Sequence, residues 1–185
     1  MALTKTPVCD FGKKAEDFKL KSIDNKLISL NDIVGEKATL IMFICNHCPY
    51  VKAVIKDLVK DCDELKKEDI NSVAIMSNDT ENYQMDSFDN MIKFAKENNF
   101  SELNYLFDET QEIAKKYDAV CTPDFFGFNK NLELQYRGRY RELKDLKPVL
   151  NGDSDLKLAM KMIAQTQKGP DEQIPSMGCN IKWFK

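Results

Sequence analysis

At 185 residues, 43% hydrophobic and 31% charged, the chain has the length of one domain and the composition of a packed core, which excludes an intrinsically disordered protein. A net charge of -3, with Lys and Arg interspersed among Asp and Glu, argues against a nucleic-acid partner. The opening MALTKTPVCDFG has no apolar run of the signal-peptide kind and no segment approaches the ~20 apolar residues of a membrane span, so no membrane partner and a cytoplasmic location are expected.

Phe18 and Leu20 alternate with charged residues, Asp24-Asn25 supplies a turn, and Leu27 to Leu30 resumes the apolar run, a hairpin pattern. Ala38 to Ile44 is continuously apolar, as in a strand buried on both faces, and ends at Cys45. Val51, Val54, Ile55, Leu58, Cys62 and Leu65 then follow a helical period. A second core strand is predicted over Ile70 to Met76, closed by the polar loop Ser77-Asn78-Asp79, with a helix marked by Phe88, Met91, Ile92 and Ala95. Tyr105 to Phe107 suits a short strand and Glu109 to Tyr117 a short helix. Asp124 to Phe128 and Leu132 to Tyr136 flank an Asn-Lys-Asn turn and predict an antiparallel hairpin. Asp153-Ser154 caps a last helix, with Gly169-Pro170 as its stop. Strands alternating with helices before a closing hairpin and helix predict one three-layer α/β domain with a mixed sheet over residues 1–170. The tail, 171–185, has no periodicity. It is expected to pack on the domain, since Ile181, Trp183 and Phe184 would otherwise expose apolar surface.

The six cysteines are unevenly spread: one close pair, Cys45 and Cys48, and four scattered singly at Cys9, Cys62, Cys121 and Cys179. In a reducing compartment this favours catalytic or metal chemistry over a disulfide framework. Structural zinc takes four ligands, usually from two such pairs; no second pair exists and the sole histidine, His47, lies inside the first, so no metal is expected. A Cys-x-x-Cys between a buried strand and a helix points its first sulfur at the helix N-terminus, where the dipole and free N–H groups stabilise a thiolate. Cys45 thus reads as nucleophile and Cys48 as resolving thiol, with cationic His47 favouring the reduced state. Pro49 disfavours the α conformation at Cys48, which offers Pro49 as an alternative first helical residue and weakens the dipole at Cys45.

The segments AEDFKL (with Glu16 where a proline is usual), FICNHCPYV, SNDTENYQMDS, YLFDETQEIAKKY, CTPDFFGF and PSMGCNIKW together resemble the peroxiredoxin-like branch of the thioredoxin superfamily, the redoxin or AhpC/TSA-type proteins. The resemblance covers nearly the whole chain. It implies a thioredoxin-like fold, a mixed central sheet flanked by helices, extended by an N-terminal β-hairpin and an inserted helix. It also implies a cis Pro123 facing the active-site disulfide, with Thr122 offering its backbone to substrate and Asn46 joining them as a substrate-binding residue. Peroxiredoxins activate their cysteine through P-x-x-x-T/S-x-x-C. Counting back from Cys45, Met42 and Ala38 stand in the Thr and Pro positions, so the resemblance does not carry peroxidase activity with it.

The expected function is therefore that of an enzyme, a thiol–disulfide oxidoreductase without cofactor. Its partners would be protein or small-molecule disulfides and thiols together with a thiol reductant. The alternatives are a thiol peroxidase and a redox-switched or metal-binding module without turnover. Cys62 falls on the apolar helix stripe and reads as core, whereas Cys9 has no assigned chemistry. Cys121 and Cys179 are candidate auxiliary thiols, Cys179 by taking over the disulfide from Cys45. Arg137 and Arg139 read as cover for a sheet edge. Asn78, Asp79 and Tyr83, at a strand end, are second-rank site candidates.

Overall fold

The computed structural model describes residues 2–185. It runs through β1 (Leu3–Lys5), β2 (Lys19–Ser22), β3 (Leu27–Ser29), α1 (Leu30–Ile33), β4 (Ala38–Phe43), α2 (Pro49–Lys66) and β5 (Ile70–Met76). After a 3-10 turn at Gln84–Asp86 come α3 (Phe88–Glu97), β6 (Asn104–Phe107), α4 (Glu112–Lys116), β7 (Cys121–Thr122), β8 (Asp124–Asn129) and β9 (Leu134–Tyr136). The chain closes with β10 (Leu143–Lys144), β11 (Lys147–Pro148), α5 (Asp155–Thr166) and β12 (Met177–Asn180).

Seven strands form the main sheet in the order β3-β2-β6-β5-β4-β8-β9. β4, β5 and β6 are parallel neighbours, and the other pairings are antiparallel, which makes the sheet mixed. All six side chains of β4 are buried, as its unbroken apolar run requires of a strand covered on both faces. Leu40 and Met42 enter a core shared with Val54, Leu58, Met91 and Met160 from α2, α3 and α5. Ile41 and Phe43 enter the opposite core with Ile33, Ile113 and Ala114 from α1 and α4. The strand's period of two thus feeds both layers, and helices cover the sheet on each side. The N-terminal hairpin extends this sheet through β2, which pairs with β6.

Several boundaries differ from the sequence pattern. α4 starts at Glu112 rather than Glu109, because the buried Asp108 carboxylate accepts hydrogen bonds from the Ile113 and Ala114 N–H groups and Gln111 adopts a left-handed conformation before them. α5 ends at Thr166, with Gln167 left-handed, ahead of Gly169-Pro170. The tail supplies β12, which lies between β1 and β7 in a second, antiparallel sheet. Ile181 is buried there, whereas Trp183 and Phe184 keep 38% and 41% of their surface exposed.

Candidate active site

Where β4 ends, Ile44 still donates to the Ile75 carbonyl, and the chain then turns through Cys45-Asn46-His47-Cys48 into α2. Pro49 is the first helical residue, a place where its missing N–H is no loss. Cys48, extended at φ -65° and ψ 124°, is the N-cap. The helix N-terminus therefore meets Cys48, not Cys45, and the dipole argument for an activated Cys45 is corrected accordingly. The cause is the restriction that Pro49 places on the residue before it.

Both sulfurs are buried, Cys45 at 1% and Cys48 at 0% exposure. They face the cis Thr122–Pro123 bond between β7 and β8. The Thr122 hydroxyl lies 3.3 Å from Cys45 Sγ, the Thr122 carbonyl oxygen 3.1 Å from Cys48 Sγ, and Cys179 Sγ 3.1 Å from Cys48 Sγ. A hydrogen bond with Cys48, burial and the Asp86 carboxylate together hold the Cys45 thiol well above its usual range. Cys48 is pulled down to about 5, first by the hydrogen bond from Cys45 and further by the Cys179 thiol, the Cys179 N–H and the Val51 N–H, against the opposing effect of burial. Cys48 Sγ is also placed to donate to the Thr122 carbonyl and toward the Cys179 sulfur, both of which favour its protonated form; of the two thiols, Cys48 is the one held lower.

Asp86 organises the rest. Its fully buried carboxylate accepts from the Asn46 N–H at 2.8 Å, His47 Nδ1 at 2.7 Å and Asn78 Nδ2 at 2.8 Å. The Asn46 side chain donates to the Met85 carbonyl and accepts from the Tyr105 hydroxyl at 2.9 Å. The Asn46 side chain thus helps to hold the loop. His47 stacks on Tyr83, with ring centroids 6.1 Å apart, and leaves Nε2 as its remaining nitrogen. Cys45 Sγ, a His47 nitrogen and an Asp86 oxygen lie within 4.8 Å of one another and are the candidate metal-holding set among the described residues. Three protein donors already occupy that carboxylate.

Thr122 pairs in antiparallel register with Cys179 of β12, so the backbone edge expected to receive a substrate segment is covered by the chain's own tail. Cys121 turns its sulfur toward the Pro123 carbonyl at 3.6 Å, and burial raises its thiol. Cys62 is core, as its place on the helix stripe indicated. Arg137 does not cover a sheet edge. It is buried, pairs with the fully buried Asp124 at 3.0 Å and donates to the Asp118 carbonyl, because the hairpin turns it inward over Phe126. Arg139, in contrast, is part-exposed and paired with Asp155. Asn78 and Asp79 lock the tail: Asn78 Oδ1 accepts from the Lys182 N–H, and the Asp79 N–H donates to the Lys182 carbonyl. Asp86 and Tyr105 escaped the sequence reading. The one available signal was an acidic residue just ahead of the Ser87 cap of α3, inside SNDTENYQMDS.

Fold and site define a thioredoxin-like redox protein. A model of the AhpC/TSA family matches residues 11–137, more than half of the chain, and the protein belongs to that family. No curated protein matches it. Among solved structures it is similar to an uncharacterized conserved protein from Geobacillus kaustophilus, at 39% identity and a TM-score of 0.93, covering 100% of this chain and 97% of that one. A hypothetical protein from Sinorhizobium meliloti is 30% identical with a TM-score of 0.89, covering 98% of each chain. A thiol:disulfide interchange protein of the thioredoxin family from Chlorobium tepidum, 16% identical with a TM-score of 0.63 over 83% of this chain and 97% of that one, shares the fold.

Proposed function

We propose that the protein is a thiol–disulfide oxidoreductase whose working pair is Cys45 and Cys48. The observation that carries this reading is the placement of two free sulfurs, Cys45 and the N-cap Cys48, in the turn from β4 into α2, both facing the cis Thr122–Pro123 bond. In the reducing direction the Cys48 thiolate attacks one sulfur of a substrate disulfide, the substrate S–S bond breaks, and the first thiolate leaves. Cys45 then gives up its proton and attacks Cys48 Sγ, so the second substrate sulfur departs as a thiol. Two electrons have passed to the substrate and a Cys45–Cys48 disulfide remains. A thiol reductant, small or protein-borne, restores the pair. Partners are disulfides and thiols of that kind, and the cytoplasm is the compartment that would supply them reduced. No helix among the described residues is long and apolar enough to cross a membrane.

Peroxide reduction is the second reading, favoured by one observation: Thr122 brings a hydroxyl to 3.3 Å from Cys45, which the sequence around Cys45 lacks. Against it, Arg137 is held by Asp124 and the Asp118 carbonyl. Turnover of a model disulfide and of hydrogen peroxide, each with dithiothreitol as electron source, separates the two. The expected result is disulfide turnover that drops to background in Cys48→Ser. Faster peroxide than disulfide turnover would overturn the reading.

A further inference from the structure

Cys179 belongs to a different part of the chain from the Cys45–Cys48 pair, yet the fold delivers it to Cys48. β12 pairs with β7 so that Cys179 faces Thr122, the residue before the cis proline. This close approach needs Gly178: a Cβ there would stand 2.0 Å from the Thr122 carbonyl oxygen. On its other side β12 is closed by β1, where Leu3 faces Cys179. The result is a buried thiol, 6% exposed, with its sulfur 3.1 Å from that of Cys48, and all three cysteines are free. The contact is with Cys48, not with Cys45 as the sequence suggested. Cys48 is a central sulfur with a thiol neighbour on each of two elements, the strand-to-helix loop and the tail strand.

Resting on the oxidoreductase reading, we propose that Cys179 is a third redox-active thiol, which takes the disulfide from Cys45 by attacking Cys48. The step is an internal exchange. The Cys179 sulfur, losing its proton, forms a bond to Cys48 Sγ; the Cys45–Cys48 bond breaks; Cys45 leaves with the electron pair and takes up a proton. No outside oxidant or reductant is consumed. The oxidised protein thus exchanges between a Cys45–Cys48 bond and a Cys48–Cys179 bond. The second of these ties α2 covalently to the tail and releases Cys45.

Oxidised glutathione with peptide mapping tests this. In Cys45→Ser, glutathione adds to Cys48, and Cys179 displaces it, so the expected product is a Cys48–Cys179 disulfide with two protein thiols lost and two glutathiones released per oxidised glutathione. Cys45→Ser combined with Cys179→Ser should stop at the glutathione adduct of Cys48. The oxidised wild type needs no substitution: brief alkylation should label Cys45 in one fraction of molecules and Cys179 in the other. Labelling of Cys179 alone in the wild type, or a Cys45→Ser protein that keeps its glutathione adduct beside a free Cys179, overturns the relay. A wild type that forms no Cys45–Cys48 bond under these conditions overturns the oxidoreductase reading itself, whatever Cys45→Ser does.

Discussion

Gly178→Ala probes the strand that brings the tail to the site. The added Cβ would stand 2.0 Å from the Thr122 carbonyl oxygen, 2.7 Å from its carbonyl carbon and 3.1 Å from the Pro123 nitrogen, all backbone atoms that no rotamer change can move. To restore ordinary contact, β12 must retreat by more than ~1 Å from β7. Overpacking of this kind costs about 1–3 kcal/mol, read as a lowered urea midpoint at unchanged slope. The same retreat opens the 3.1 Å contact between Cys179 and Cys48 and removes two of the donors that lower Cys48. Thiol alkylation across pH should then show Cys48 ionising at a higher pH than in the wild type and Cys179 reacting faster. A Gly178→Ala protein with wild-type stability and an unchanged Cys48 profile would refute the claim that β12 sets the site.

In the reduced wild type, Cys48 alkylation should rise through a midpoint near about 5, lowered from 9.0 chiefly by the neighbouring Cys45 thiol, and Cys48→Ser should abolish that phase; a midpoint near 9 refutes Cys48 as the more acidic thiol of the pair. Because this folded-state value is depressed, Cys48 contributes stability that is fully present above its unfolded value and is lost as pH falls through about 5, so denaturation midpoints of the reduced protein should drop across that window. Asp86→Asn replaces an acceptor of three hydrogen bonds by a group that cannot accept all three, and should cost about 2–4 kcal/mol in urea denaturation. It should also lower the pH at which Cys45 alkylates, since the carboxylate charge raises that thiol; an unchanged Cys45 profile would remove Asp86 from the site's electrostatics. Stopped-flow oxidation of the reduced protein by hydrogen peroxide should be slow, and rapid saturable sulfenic-acid formation would favour the peroxidase reading.

The pattern of apolar residues carried most of the fold, because β4, β5 and α2 owe their form to burial: the unbroken run Ala38–Phe43 and the stripe Val51, Val54, Ile55, Leu58 mark their own environments. Position on the chain was also enough to group Cys45, His47 and Cys48 as one candidate site, whereas the cis Pro123 facing them was implied by the family resemblance. What stayed hidden depends on long-range register. Asp86 reaches Asn46 and His47 from forty and thirty-nine residues away, and nothing in its local sequence says that a loop will fold it inward. Likewise, β12 consists of four residues without amphipathic period, and only its pairing with β7 shows that Cys179 meets Cys48. Arg137 looked like an edge residue because a buried arginine is recognisable only beside its buried carboxylate, here Asp124, thirteen residues earlier. The order of roles within the pair turned on one boundary, the start of α2 at Pro49, which local propensity left open.

Whether Cys45 and Cys48 are a reversible dithiol–disulfide pair is decided by equilibrating the wild-type protein with oxidised and reduced glutathione over a range of ratios and counting thiols while mapping every disulfide. The expected result is the loss of two thiols in a single two-electron transition, with Cys48 in every intramolecular bond formed and with full recovery on adding dithiothreitol. A protein that keeps Cys45 and Cys48 as free thiols at every ratio, or whose disulfides never include a Cys45–Cys48 bond, would contradict it.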